Sequence, residues 1–251
     1  MDIKISRTRP FVHFTLADRH TPEWDLQVAS ARRYHSDHLL NLVLVEPPFR
    51  LAMRIDWLSN LLPRLEAGTL VLMVDAMDAL FNASMESLVA EFHSLRVELG
   101  KDMFGRQASI VFNGEKNCWP HADWAGLHDP DVLATPFPFL NGGMMLGTKE
   151  ALQTVLRAFL WKEDTYDQTF WMYIYLESRK VPSLPRVEVD NFGRLACCFY
   201  KLDPQELEVR NRAVYFRKSG ARPAILHFNG PTKALMPRIA GQLGIGSEPL
   251  P

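Results

Sequence analysis

Cysteine is scarce in this sequence: only Cys118, Cys197 and Cys198 occur among 251 residues. An odd count with one adjacent pair provides no disulfide framework and suits a reducing compartment. A charge excess of either sign is also missing. Lys and Arg total 28 against 29 Asp and Glu, a net charge of −1. The chain therefore lacks the basic surplus on which bulk nucleic-acid binding draws. No apolar stretch approaches the roughly 20 residues needed to span a bilayer. The opening segment MDIKISRTRPFVHFTLAD carries charges where a secretory signal has an unbroken apolar core. There is no low-complexity tract and no internal repeat. These absences predict a cytoplasmic protein with no nucleic-acid partner and no transmembrane segment.

What is present is an alternation of apolar runs and helical patterns. Hydrophobic residues make up 47% and charged residues 23%, an ordinary globular balance, and the length is enough for one large core. Phe11 to Ala17 reads as a first strand. Thr21 before Pro22 reads as a helix start. Leu39 to Glu46 follows as a strand, and Leu51, Ile55, Leu58 and Leu62 form one helical face. Thr69 to Val74 does not alternate, so it is expected to be buried on both faces. Ser84 caps a helix carrying Leu88, Val89 and Phe92, and Ala108 to Phe112 is a fourth strand. The stretch from Gly114 to Pro138 predicts a long working loop. Thr148 opens a further helix, and Thr165 and Gln168 have capping-box spacing before another. Short strands are expected near 187–189, 214–216 and 224–226. The fold class is α/β, one domain over residues 1–237 with a largely parallel central sheet flanked by helices. Residues 238–251 read as a loosely held tail.

Within this pattern, GTLVLMVDAMDALF (Gly68 to Phe81) is an apolar run that stops at two carboxylates, Asp75 and Asp78. Ligands of open α/β sheets gather at the carboxyl ends of strands. Two acids brought together there repel unless one is protonated or a cation lies between them, and Mg²⁺ or Mn²⁺ would serve. Taken alone, this spacing fits solvated charges as well as a cation site. A second apolar run, AILHFNGPTK (Ala224 to Lys233), ends at His227, a ligand Mn²⁺ accepts beside carboxylates. Asn229 and Gly230 offer a turn whose backbone can approach a ligand, and Lys233 adds a cation just beyond. A metal held by two acids and one histidine, next to a lysine and exposed amides, suits a diphosphate.

The ordered blocks VLMVDAMDALF, IVFNGEKNCWP, FLNGGMMLG, YDQTFWMYIYL, VEVDNFGRLACCF and HFNGPTK, from Val71 to Lys233, resemble one known family. It is the glycosyltransferase domain of the procollagen lysyl hydroxylases and related collagen-type glycosyltransferases. The resemblance implies a GT-A fold, a UDP-sugar donor (UDP-glucose or UDP-galactose) and Mn²⁺ or Mg²⁺ held by Asp75, Asp78 and His227. It implies that Thr15 lies by the uracil and ribose. Met77 takes the place of an aromatic residue near the nucleotide, and Val74 joins this donor set. Arg54, in R-x-x-W with Trp57, faces the donor, and Asn229, Gly230 and Lys233 contact the diphosphate. Two departures stand out. The family has N-S-G-G where this chain has Asn141-Gly142-Gly143-Met144, and its acidic run before D-Q is here KEDTYDQ, leaving Asp164 and Asp167.

Asn141, Gly142 and Gly143 form either a plain tight turn or a backbone approach to sugar hydroxyls. Trp119, before Pro120, either stacks on a sugar or anchors its loop. Asp167, in the first turn of a helix, suits the helix dipole in any case. It is also the leading choice for the group facing the reacting sugar, with Asp164 next. Asp190 reads as structural or acceptor-side, and Cys197 and Cys198 as core. The function expected is metal-dependent transfer of a hexose from a UDP-sugar to an acceptor hydroxyl. The alternative is a degenerate sugar-nucleotide-binding or interaction module.

Overall fold

The computed structural model describes residues 11–246. In chain order the strands are β1 (Phe11–Ala17), β2 (Leu42–Leu44), β3 (Leu70–Val74), β4 (Ala79–Phe81), β5 (Ala108–Glu115), β6 (Phe139–Thr148), β7 (Arg186–Asp190), β8 (Ala196–Cys198), β9 (Leu207–Arg210), β10 (Ala213–Phe216) and β11 (Ile225–His227). The helices are α1 (Pro22–Arg33), α2 (Ala52–Leu61), α3 (Met85–Glu98), α4 (Pro130–Leu133), α5 (Lys149–Ala158), α6 (Asp167–Ser178) and α7 (Met236–Leu243). Among the described residues nine strands form one sheet in the order β2-β1-β3-β6-β5-β8-β11-β4, with β7 also pairing with β5. Only β6 and β4 run against the others, so the sheet is largely parallel. β9 and β10 make a separate antiparallel hairpin.

This topology decides where a site can form. The ends of β3, β5 and β11 and the starts of β6 and β4 all lie on one edge of the sheet. The sheet must also curl. Val74 and Ala79 end and begin β3 and β4, and a chain of that length reaches at most about 18 Å. Five strand spacings in a flat sheet would need about 24 Å. Curling draws the ends of β3 and β11 together across the intervening strands.

Burial explains the sequence pattern. Val12, Phe14, Val71 and Met73 pack on one side of the sheet with α2, α5 and α6 residues such as Ile55, Leu152 and Trp171. Phe11, Leu70, Leu72 and Val74 pack on the other with α1 and α3 residues such as Trp24 and Phe92. A central strand covered on both faces has no solvent side, and this is why β3 lacks alternation. Burying each such Leu, Ile or Phe contributes about 1.5–3 kcal/mol. Thr21, Ser84 and Thr148 cap α1, α3 and α5 through their side-chain oxygens, as their positions imply.

Three expectations change. The strand expected over residues 39–46 shortens to β2, because a 3₁₀ turn occupies Asp37–Leu39. The capping box expected at Thr165 and Gln168 does not form. Tyr166 is the N-cap of α6, without a side-chain cap bond. Thr165 Oγ1 instead accepts from the Lys162 amide at 2.7 Å, and Gln168 turns into the protein. The third concerns the region after Pro237, expected to be loosely held. α7 crosses it, with Ala240, Leu243 and Ile245 packed on Leu226, Phe228 and Val214. No helix among the described residues is long and apolar enough to cross a membrane.

Candidate metal and donor site

Asp75 follows β3, Asp78 precedes β4 and His227 ends β11. Their ligand atoms all lie within 4.8 Å of one another. His227 Nε2 stands 3.4 Å from Asp75 Oδ2 and 3.6 Å from Asp78 Oδ1. Neither His227 Nε2 nor Asp78 Oδ1 has a hydrogen-bond partner among the described residues. Two carboxylates and an imidazole nitrogen, with buried ligand atoms unsatisfied, fit a divalent cation of the Mn²⁺ or Mg²⁺ kind. The backbone places them: the Asp75 amide donates to the Gly143 carbonyl at 2.9 Å, and the Phe228 amide to the Asp78 carbonyl at 2.7 Å. Gln27, on α1, donates to the Asp75 carbonyl at 2.8 Å.

Arg54 joins three parts of the site. Its Nη1 lies 2.9 Å from Asp75 Oδ1 and 2.8 Å from Asp167 Oδ2. Its Nη2 donates to the Gly142 carbonyl at 2.7 Å. Burial works against the Asp75 carboxylate, but Arg54, then His227 and Lys233, hold its pKa down at about 2. Asp167 goes the other way. Its burial and the nearby Asp75 charge outweigh Arg54 and lift it to about 6. Neighbouring acids pushed apart in this way can act in different protonation states. Burial also works against a charge on His227, yet Cys198 and the two aspartates raise its pKa well above the usual histidine value.

A third group, unforeseen from the sequence, closes the floor. Glu115 ends β5 and is almost fully buried. It accepts from Asn141 Nδ2 at 3.1 Å, Gln168 Nε2 at 2.9 Å and Asn229 Nδ2 at 3.1 Å. Burial raises its pKa despite these donors. Asn141 Oδ1 accepts from the Gly143 amide at 2.8 Å. The Asn141–Gly143 segment is not a turn: it lies within β6, where Asn141 pairs with Asn113 of β5. The strand-end rule that singles out Asp75 applies equally to Glu115. At Glu115 the signal is masked because the polar, Trp- and Pro-rich stretch after Gly114 reads as loop.

These groups line a cleft of about 450 Å³. Arg54, Asp75, Asp78, Trp119, Asn141, Gly142, Gly143, Asp167, His227, Asn229 and Gly230 all border it. Leu51, Asn117, Tyr166, Gln168 and Tyr200 do so as well. Trp119 is 45% exposed and stands edge-on to Tyr166 at 5.0 Å between ring centroids. Its carbonyl accepts from Gln168 Nε2 at 2.6 Å, so it is both loop anchor and cleft wall. Other expected residues do not border the cleft. Thr15 is fully buried and its hydroxyl donates to the Val74 carbonyl at 2.5 Å, with Val74 equally covered. Met77 packs against the apolar core under α1 and α3. Lys233 lies on the 3₁₀ turn Gly230–Leu235, close enough for its charge to act on Asp75. Asp164 is exposed in the turn before α6. Asp190 is buried and accepts from the Leu195 amide at 2.5 Å, a structural role.

The family model described as the PLOD GT domain matches residues 52–243. The human multifunctional procollagen lysine hydroxylase and glycosyltransferase LH3 is 24% identical over 189 residues, 72% of this chain and 23% of that protein. The corresponding Caenorhabditis elegans hydroxylase and glycosyltransferase is 24% identical over 195 residues, 75% of this chain and 24% of that protein. The chain thus spans about a quarter of the length of these relatives. Among solved structures, the galactosyltransferase LgtC with donor and acceptor sugar analogs overlaps with a TM-score of 0.45 at 12% identity. That overlap covers 93% of this chain and 95% of LgtC.

Proposed function

We propose, for a chain that belongs to the PLOD glycosyltransferase-domain family and has an α/β sheet of the expected GT-A type, that it transfers a hexose from UDP-glucose or UDP-galactose to an acceptor hydroxyl. The observation that carries this reading is the convergence of Asp75, Asp78 and His227 on the floor of the cleft, within 4.8 Å of one another. Asp75, Asp78 and His227 would hold Mn²⁺ or Mg²⁺. Such an ion, when bound, offsets the charge of the diphosphate and of the departing UDP.

The remaining roles follow from the chain's own residues. Lys233 adds positive charge on the diphosphate side. The Gly230 backbone, at φ 62°, leaves an unencumbered approach to a ligand. The Asn141–Gly143 backbone and the Glu115–Gln168 pair form the floor beneath the sugar, and Trp119 and Tyr166 shield its mouth. Arg54 keeps Asp75 ionised and orients Asp167. In the transfer, the bond from the anomeric carbon to the diphosphate oxygen breaks and a bond to the acceptor oxygen forms. UDP leaves, and the acceptor's proton passes to Asp167, whose pKa of about 6 suits a general base near neutrality.

The test is UDP release from each sugar nucleotide, with Mn²⁺ and with a chelator. Slow release that needs the metal and is lost in Asp78→Ala supports the transferase. Nucleotide binding without release from either donor would leave a binding module.

A further inference from the structure

Cys198 and His227 are register partners on the adjacent parallel strands β8 and β11. Both are buried, and the Cys198 sulfur lies 3.4 Å from His227 Nδ1. Asn113, at the bulge in β5, touches both: its Nδ2 is 3.0 Å from the sulfur and 3.3 Å from Nδ1. The orientation of this amide is fixed independently. The Met144 backbone amide donates to Asn113 Oδ1 at 3.0 Å, so the oxygen points away from the histidine and the NH₂ group points toward it. Asn113 Nδ2 also donates to Asn141 Oδ1 at 3.2 Å.

An amide NH₂ has two hydrogens and no acceptor. The two shorter contacts, to Cys198 and Asn141, use both. Asn113 therefore cannot accept a proton from His227 Nδ1 and has no hydrogen left to give it. If Nδ1 carries a hydrogen, the acceptor in reach is the Cys198 sulfur. The opposite ring nitrogen, Nε2, faces Asp75 and Asp78. A nitrogen that ligates a metal must present a lone pair, and the hydrogen bond at the other nitrogen sets which tautomer does so.

We infer that Cys198 is a positioning residue: its sulfur accepts from His227 Nδ1–H and so turns the Nε2 lone pair toward the site formed with Asp75 and Asp78. The inference rests on the metal reading above, while its structural part concerns the metal-free chain. It also gives a role to a cysteine that the sequence presents only as core. The adjacent Cys197 serves as a control. It is equally buried but packs on the opposite side, among Leu80, Phe137 and Leu226.

The test has two arms. Histidine-selective ¹⁵N NMR on the metal-free chain, with His227→Gln to assign the signals, reads the ring directly. A hydrogen on Nδ1 is expected in the native chain, with its resonance shifted in Cys198→Ala and restored toward native in Cys198→Ser, whose hydroxyl can accept. Calorimetry with Mn²⁺ alone should then show affinity lowered on the order of 10- to 100-fold in Cys198→Ala, with Cys198→Ser and Cys197→Ala near native. A native ring with a bare Nδ1, or Mn²⁺ affinity unchanged in Cys198→Ala, would overturn the assignment. If Cys198→Ala fails to fold, the native NMR spectrum and Cys198→Ser still decide. Absence of Mn²⁺ binding by the native chain would instead overturn the metal reading, and the NMR arm would remain decisive for the hydrogen bond.

Discussion

Gly143 lies directly beneath His227: a Cβ added to Gly143 would sit 2.0 Å from the ring's Cε1 and 2.5 Å from Nε2. The glycine is thus required by the close approach of the His227 ring, although it occupies the interior of a strand, where glycine is otherwise a weak choice. Gly143→Ala should displace His227, cost about 1–3 kcal/mol of stability through overpacking, and remove metal-dependent nucleotide binding. Gly142→Ala is the matched control, because its added carbon would meet Gln168 only at 3.7 Å. Melting curves and Mn²⁺ titrations of both variants provide the check. Equal behaviour of the two would contradict the contact.

How much of this was legible in the sequence depends on which residues had to meet. Thr21, Ser84 and Thr148 announced their helices because a cap is a local device. Asp75, Asp78 and His227 were legible because each stands where an apolar run ends. β6 was not foreseen, since its Asn141-Gly142-Gly143 start carries the residues of a turn. Those glycines answer to packing against His227 and Gln168, which no local pattern reports. β4 and β8, three residues each, are too short to show a period. Gln168 has the spacing of a cap, but its partners, Glu115 and the Trp119 carbonyl, are about fifty positions away, beyond any local pattern.

Asp167 is buried against Arg54, and burial lifts its pKa to about 6. A general base works when deprotonated, so turnover should rise with pH through about 6. Asp167→Asn should remove that limb and cut turnover steeply, with UDP affinity nearly unchanged. If Asp167 serves only the helix dipole, the variant will lose about 0.3–1 kcal/mol of stability and keep its rate. Pre-steady-state UDP release and a melt of the same preparation separate these outcomes.

In the proposed reading Lys233 acts on phosphate charge. Its charge reaches Asp75, beside the proposed metal position. Lys233→Ala should therefore weaken UDP by roughly ten-fold or more, about 1.4 kcal/mol, and leave uridine nearly unaffected. Calorimetric titration with both ligands is the measurement. Parallel losses would move Lys233 away from the diphosphate.

His13 provides a pH test away from the site. It is fully buried in β1, neither ring nitrogen has a partner among the described residues, and burial lowers its pKa to about 3. The unfolded chain takes up a proton near pH 6.5, whereas the native chain resists down to about 3. The stability this site contributes is complete above about pH 6.5 and is lost as pH falls toward 3, by up to about 1.4 kcal/mol per pH unit. Urea unfolding between pH 4.5 and 7.5 should show that slope, and His13→Leu should reduce it. An unchanged slope in His13→Leu would assign the acid sensitivity to other groups.

The most direct measurement is calorimetry of UDP binding in Mn²⁺ and in chelator, for the native chain and for Asp75→Asn, Asp78→Asn and His227→Gln. Tight binding by the native chain only in Mn²⁺, with the dependence lost in all three variants, is the result expected of a metal-bridged diphosphate site. Equal UDP affinity with metal and with chelator in the native chain would contradict it.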